Sequence, residues 1–363
     1  MQHVEWLWAS SLVLCACSGG VSGDGRSDAP IARPPLADAS AEAETDALAP
    51  SDAGVEATLT PCPTSGTGAI TAANTECLLV TPEQTGASAT GQNATIQSYV
   101  LAPNANGTGK LVLFFNSSDS HPVDMIADPA QSFYTAATSL GESVIAISYE
   151  SQQIIGAICA TDECFAATRQ TIISGVFQTG ASATLQGIQL DEGVVWRVAA
   201  LLRWLDANDP THGWSTFLVP GSSSEPADQQ IAWSNVIVAG HSQGGGHAAM
   251  IGKLYPVIRV AQLSSTCDAL DGTPVTWTSA SNGTWMTNPN GFYGLAAPTT
   301  FTNGVPSSGD TTCPYHTAVW ANLGMVAARS NNDAALCGMT GDTHGASIGC
   351  AQNFAAWQFM LEE

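Results

Sequence analysis

The sequence predicts an α/β protein with a mostly parallel central sheet and helices on both faces. Three observations carry that expectation. Residues 110–115 read Lys-Leu-Val-Leu-Phe-Phe and residues 144–149 read Val-Ile-Ala-Ile-Ser-Tyr, continuous apolar runs of the kind that mark strands buried on both faces. Val194, Val195, Val198, Leu201, Leu202 and Leu205 recur at three-four spacing, the period of one helix face. The two patterns alternate along the chain, and strands joined by helical crossovers pair in parallel and are covered on both sides.

The first 17 residues look like an export signal. From Trp6 to Ala16 the chain is apolar apart from Ser10 and Ser11, too short to span a bilayer as a mature helix. The stretch ends in Leu14-Cys15-Ala16-Cys17, which resembles a bacterial lipoprotein box with Cys17 as the acylated residue. No Lys or Arg precedes Arg26, so the usual basic start is missing and plain secretion is the other reading. Residues 18–59 follow as a tether rich in Ala, Pro, Ser, Asp and Glu, with eight acids (Asp24, Asp28, Asp38, Glu42, Glu44, Asp46, Asp52, Glu56) against Arg26 and Arg33. Such a segment buries too little apolar surface to offset its ordering entropy and is expected to be disordered.

Residues 60–363 have the length of one α/β domain. After the strand at 110–115, Asp128-Pro129 reads as an N-cap with proline at N1 and opens a helix expected to run through Leu140. The strand at 144–149 follows. The helix through Leu205 closes before Asn208-Asp209-Pro210. Val236-Ile237-Val238-Ala239 is a short buried strand that runs straight into Gly240-His241-Ser242-Gln243-Gly244 and a helix. Residues 257–263 and 299–302 are further strands, and 351–361 form a closing helix.

Net charge is −22 and only seven of the nine Lys and Arg lie beyond residue 60. No basic cluster exists for a nucleic acid; the acidic balance favours solubility. Eight cysteines remain after Cys15 and Cys17: Cys62, Cys77, Cys159, Cys164, Cys267, Cys313, Cys337 and Cys350. An even number in an exported chain implies disulfides. Short separations favour 62–77, 159–164 and 337–350, which leaves 267–313. No Cys-x-x-Cys pair occurs and the histidines are scattered, so no metal site is expected.

The pentapeptide at 240–244 carries the chemistry. A serine on a sharp strand-to-helix turn sits in strained backbone, and glycines two residues away on each side give the turn room. The new helix N-terminus then offers N–H groups to a developing negative charge. Gly345-Ala346-Ser347-Ile348-Gly349 matches the same pattern, but no strand-like run precedes it, and it is read as a loop coincidence. Ser242 is therefore the candidate nucleophile.

The order of elements and the Gly-His-Ser-Gln-Gly elbow resemble the α/β-hydrolase superfamily of esterases and lipases, over roughly residues 95–363. With Trp320-Ala321-Asn322-Leu323-Gly324, the elbow is most similar to exported bacterial hydrolases of mostly undefined substrate. The resemblance implies a Ser, Asp or Glu, His order of catalytic residues. His344, in a Gly-rich loop before the last helix, takes the position of the base. His247 lies on the elbow helix as a packing or capping residue, and His316 starts a later helix. Asp310 is the favoured acid and Asp268, after the strand ending at Leu263, the second candidate; Asp342 is too near His344 and reads as a turn former. Gln243 N–H is one oxyanion donor. Ser117 or Ser118 supplies the other, although the family often reads His-Gly where this chain has Asn116-Ser117-Ser118-Asp119.

The implied activity is hydrolysis of a small-molecule or polymeric carboxylic ester through an acyl-enzyme, with no cofactor. Trp277, Trp285, Met286, Phe292 and Tyr293 either roof an acyl pocket or fill a satellite core. The rival function, motivated by the missing His-Gly, is an inactive surface binding lipoprotein that keeps the fold. The oligomeric state is not legible.

Overall fold

The computed structural model describes residues 59–88, 95–104 and 107–362. The expected export signal, its Cys17, and all of the tether except Leu59 lie outside the described residues. Among the described residues a nine-stranded sheet forms the centre. Its strands are β1 (Thr60–Pro61), β2 (Thr75–Val80), β3 (Ser98–Pro103), β4 (Leu111–Phe115), β5 (Ser143–Ala146), β6 (Val236–His241), β7 (Arg259–Leu263), β8 (Phe292–Leu295) and β9 (Ser330–Asn331). They lie in the order β1-β2-β3-β5-β4-β6-β7-β8-β9. The three pairs at the β1 end are antiparallel; the rest, from β5 through β9, are parallel. This mostly parallel sheet, with a strand–elbow–helix at its centre, has the α/β-hydrolase fold.

β4 shows why a continuous apolar run belongs here. Its five residues are fully buried and alternate between two cores. Leu111, Leu113 and Phe115 face a cluster that contains residues of α2 (Asp162–Ser174), α3 (Val194–Asn208) and α4 (Gln243–Leu254). Val112 and Phe114 face the other cluster, with Phe133, Ala136 and Ala137 of α1 (Phe133–Ser139) and Trp357, Met360 and Leu361 of α6 (Phe354–Glu362). Each such side chain contributes about 1.5–3 kcal/mol through burial, so a polar substitution on either face is costly. A further helix, α5 (His316–Asn322), lies between β8 and β9.

Three elements differ from the sequence expectation. The helix expected from Asp128 starts at Phe133. Asp128 Oδ1 instead accepts the N–H groups of Ala130 and Gln131 at 2.8 and 2.9 Å, a local turn. Ser132 and Thr135 then form a capping box that opens α1. β5 ends at Ala146, three residues early, because beyond Ile147 the backbone turns to side-chain partners, with Ser148 N–H donating to Ser98 Oγ. Residues 299–302 are a strand, but pair only with Val305–Gly309 in an exposed hairpin. The sheet strand is β8, whose four residues are all buried. The Thr-rich hairpin has too few apolar side chains to enter the sheet.

Among the described residues four disulfides join Cys62 to Cys77, Cys159 to Cys164, Cys267 to Cys313 and Cys337 to Cys350, three of them the pairs that short separations favoured and 267–313 the pair left over. Among the described residues no helix is long and apolar enough to cross a membrane.

Candidate active site

Ser242 occupies the corner between β6 and α4 with φ 55° and ψ −123°, a region that L residues other than glycine seldom enter. Neighbouring strands hold it there. Ser242 N–H donates to Leu263 O at 2.9 Å, and Ser265 Oγ donates to Ser242 O at 2.7 Å. The flanking glycines are steric necessities: a Cβ on Gly240 would lie 2.3 Å from the Gly244 carbonyl carbon, and one on Gly244 would lie 2.2 Å from Phe115 O. The second pentapeptide has a different local structure. Ser347 lies in a short helical turn, Ala346–Gly349, and its hydroxyl is 2.8 Å from Ser264 Oγ in the interior.

Asp310 follows the exposed hairpin yet is fully buried. Its Oδ1 accepts from Cys313 N–H at 2.8 Å and from His344 Nδ1 at 2.9 Å. A carboxylate can only accept, so Nδ1 carries a proton, and in the neutral ring the lone pair lies on Nε2, where it can act as a base. His344 Nε2 is buried and makes no hydrogen bond, to Ser242 or to any other group. The ring packs 4.8 Å, centroid to centroid, from His241, the residue before Ser242. His241 Nε2 in turn donates to His344 O at 3.1 Å. Burial, and then the neighbouring His344, push the His241 pKa down to about 3. His241 is thus a neutral spacer that ties the His344 loop to the elbow.

The other candidates have separate places. His247 is buried edge-on against Tyr149 at 5.3 Å, with burial and then Arg169 holding its pKa well below the ordinary value; it packs. His316 is enclosed behind Asp310, its Nδ1 2.7 Å from Cys313 O and 3.9 Å from Asp310 Oδ2. Asp268 is bound by Arg169 through both oxygens, at 2.7 and 2.5 Å, and accepts Trp277 Nε1–H at 2.9 Å. Asp342 forms the turn before His344, accepting the N–H groups of Thr311 and His344, each at 3.1 Å.

Gln243 opens α4, so its N–H points out of the helix start. Ser117 and Ser118 follow β4 after Asn116, and Phe115 at the strand end pairs with Gly240 in parallel register; both segments therefore emerge at the carboxyl edge of the sheet. The departure at Asn116 is built in. Its Nδ2 donates to Ser120 O at 2.5 Å and Ser151 Oγ at 3.1 Å, and its backbone carbonyl accepts Tyr149 OH at 2.6 Å. The aromatics between β7 and the hairpin fill core. Phe292 and Tyr293 belong to β8, Trp277 is buried, and Trp285 packs on Trp277 and Phe292; Met286 is exposed.

Sequence reasoning missed Arg169 and His241. Arg169 is one of seven bases in the domain and lies on a helix with a polar first turn, so nothing marked it as interior. His241 was inside the pentapeptide, at the position that pattern leaves open.

No family model matches this chain, and no curated protein matches it either. Among solved structures it is similar to an inhibited esterase B from Lactobacillus rhamnosis, with 10% identity, a TM-score of 0.27, and coverage of 53% of this chain and 49% of that one. It is also similar to a dienelactone hydrolase from Anabaena variabilis, with 16% identity, a TM-score of 0.24, and coverage of 46% and 56%. The match thus spans about half the length of those proteins.

Proposed function

We propose that the protein is an exported serine hydrolase that cleaves carboxylic esters through an acyl-enzyme. In this reading Ser242 Oγ attacks the ester carbonyl and His344 Nε2 takes its proton. Asp310 holds the ring in the Nδ1–H tautomer and stabilises the imidazolium. The N–H of Gln243, with that of Ser117 or Ser118, receives the oxyanion. His344 then returns the proton to the leaving alcohol, and water repeats the cycle on the acyl-enzyme. Small or polymeric esters are the proposed substrates, and Cys17 the proposed anchor to the cell envelope.

The observation that carries this reading is the pairing of Asp310 with His344 Nδ1, which leaves a buried, unbonded Nε2 in a loop tied to the elbow through His241. Catalytic hydrogen bonds are often long before substrate arrives, so closure of Ser242 Oγ on Nε2 is expected with substrate. A second reading, a binding protein that has kept the fold, is favoured by Asn116-Ser117-Ser118 where His-Gly is common. A fluorophosphonate probe separates the two. Labelling that disappears in Ser242→Ala is the expected result; absence of labelling in folded wild-type protein leaves the binding protein.

A further inference from the structure

Building on the hydrolase reading, we infer that Arg169 is a positioning residue, a buried guanidinium that locks Gln243 in the orientation its N–H needs to receive the oxyanion. Arg169 projects from α2 and is 1% exposed. Its Nη1 donates to Gln243 O at 2.9 Å, while Nε and Nη2 bind the two oxygens of Asp268. Trp277 Nε1–H holds that carboxylate from another side. The elbow helix is cut to fit: a Cβ on Gly246 would lie 2.2 Å from Arg169 Nη2. This accounts for the third glycine of Gly244-Gly245-Gly246, which the turn at Ser242 does not itself demand.

Gln243 is gripped elsewhere too. Its side-chain Oε1 accepts Ile155 N–H at 2.9 Å and its Nε2 donates to Gln153 O at 3.0 Å. The peptide that carries its N–H has its carbonyl, Ser242 O, bound by Ser265 Oγ. The residue is therefore fixed at its preceding peptide, its side chain and its own carbonyl, the last by Arg169. A buried ion pair adds little net stability over apolar packing. A planar fork that serves two partners at once fixes geometry, which a lysine, with one point charge, does not. Oxyanion stabilisation depends on such pre-set donors.

Two variants test this. Arg169→Lys keeps a cation for Asp268 but loses the fork. Arg169→Met combined with Asp268→Leu removes both buried charges and keeps the interior apolar. Thermal melts establish that each is folded. Then kcat and KM on a p-nitrophenyl ester, the fluorophosphonate labelling rate, and hydrogen exchange of peptides spanning 243–250 are measured. We expect labelling and kcat to fall by roughly tenfold or more, KM to stay within about twofold, and exchange in that segment to speed up. A folded variant with wild-type kcat overturns the inference. If wild-type protein itself neither labels nor turns over, the hydrolase reading has failed separately. Exchange then decides the clamp: acceleration in the variants keeps it, and unchanged exchange overturns it.

Discussion

Asp310 and Asp268 make an instructive pair. Both are buried and both stand beside the Cys267–Cys313 disulfide: Asp268 follows Cys267 in the chain, and Asp310 accepts the N–H of Cys313. They differ in their partner. Asp310 faces an imidazole whose second nitrogen is unbonded. Asp268 faces a guanidinium that holds it through both oxygens. An imidazole gains and loses protons near neutral pH, whereas a guanidinium does not titrate in a protein. One carboxylate can therefore support proton transfer and the other can only hold geometry. Burial alone would not have told them apart.

The largest effect is expected at the first of the pair. Asp310→Asn presents an amide to His344 Nδ1 and no longer selects the tautomer with a free Nε2. By the logic of Ser-His-Asp sites, kcat should fall by about four orders of magnitude, with a melting temperature close to wild type. Asp268→Asn should do the opposite. It leaves Arg169 without its counter-charge in the interior, which costs about 3–5 kcal/mol, read as a lower denaturant midpoint. The fraction that remains folded should keep kcat within roughly tenfold of wild type. If Asp268→Asn abolishes turnover without loss of stability while Asp310→Asn spares it, the two roles are reversed.

The sequence spoke most clearly where one residue type has one physical use. Residues 111–115 and 236–239 lie in β4 and β6 because an unbroken apolar run fits only a strand covered on both faces. The glycines of the elbow were legible because nothing larger fits beside Ser242. Three cysteine pairs followed from short separations, and the fourth was the pair left over. Legibility failed where partners are distant in sequence. Asp268 looked like a second candidate acid because its ion pair with Arg169 spans 99 residues, and no local pattern reports such a contact. Residues 299–302 read as a strand but carry too few apolar side chains for the sheet, while Phe292 and Tyr293 looked like insertion aromatics although they belong to β8. Asp128 read as a helix cap because Asp-Pro fits either a cap or a turn, and the stronger Ser132–Thr135 box lay four residues on.

A third carboxylate sharpens the comparison with the smallest expected effect. Asp342 lies two residues before His344 but is exposed, and it serves the backbone rather than the ring. Partial burial pushes its pKa up, but hydrogen bonds from the Thr312 hydroxyl and the N–H groups of His344 and Thr311, with the His344 ring nearby, hold it below the ordinary carboxylate value. A depressed folded-state pKa contributes stability that is present above the unfolded value and lost as pH falls through the folded one. Solvent screens the site, so Asp342→Asn should cost about 0.5 kcal/mol at pH 7, a difference that fades in acid below the usual carboxylate range. Chemical denaturation at pH 7 and again in that acid range measures both. Turnover should change by less than about threefold, since the Asp310–His344 hydrogen bond is untouched. A fall in kcat approaching that of Asp310→Asn would mean that the turn, and not the buried carboxylate, aims the base, and the contrast between Asp310 and Asp268 would no longer explain the site.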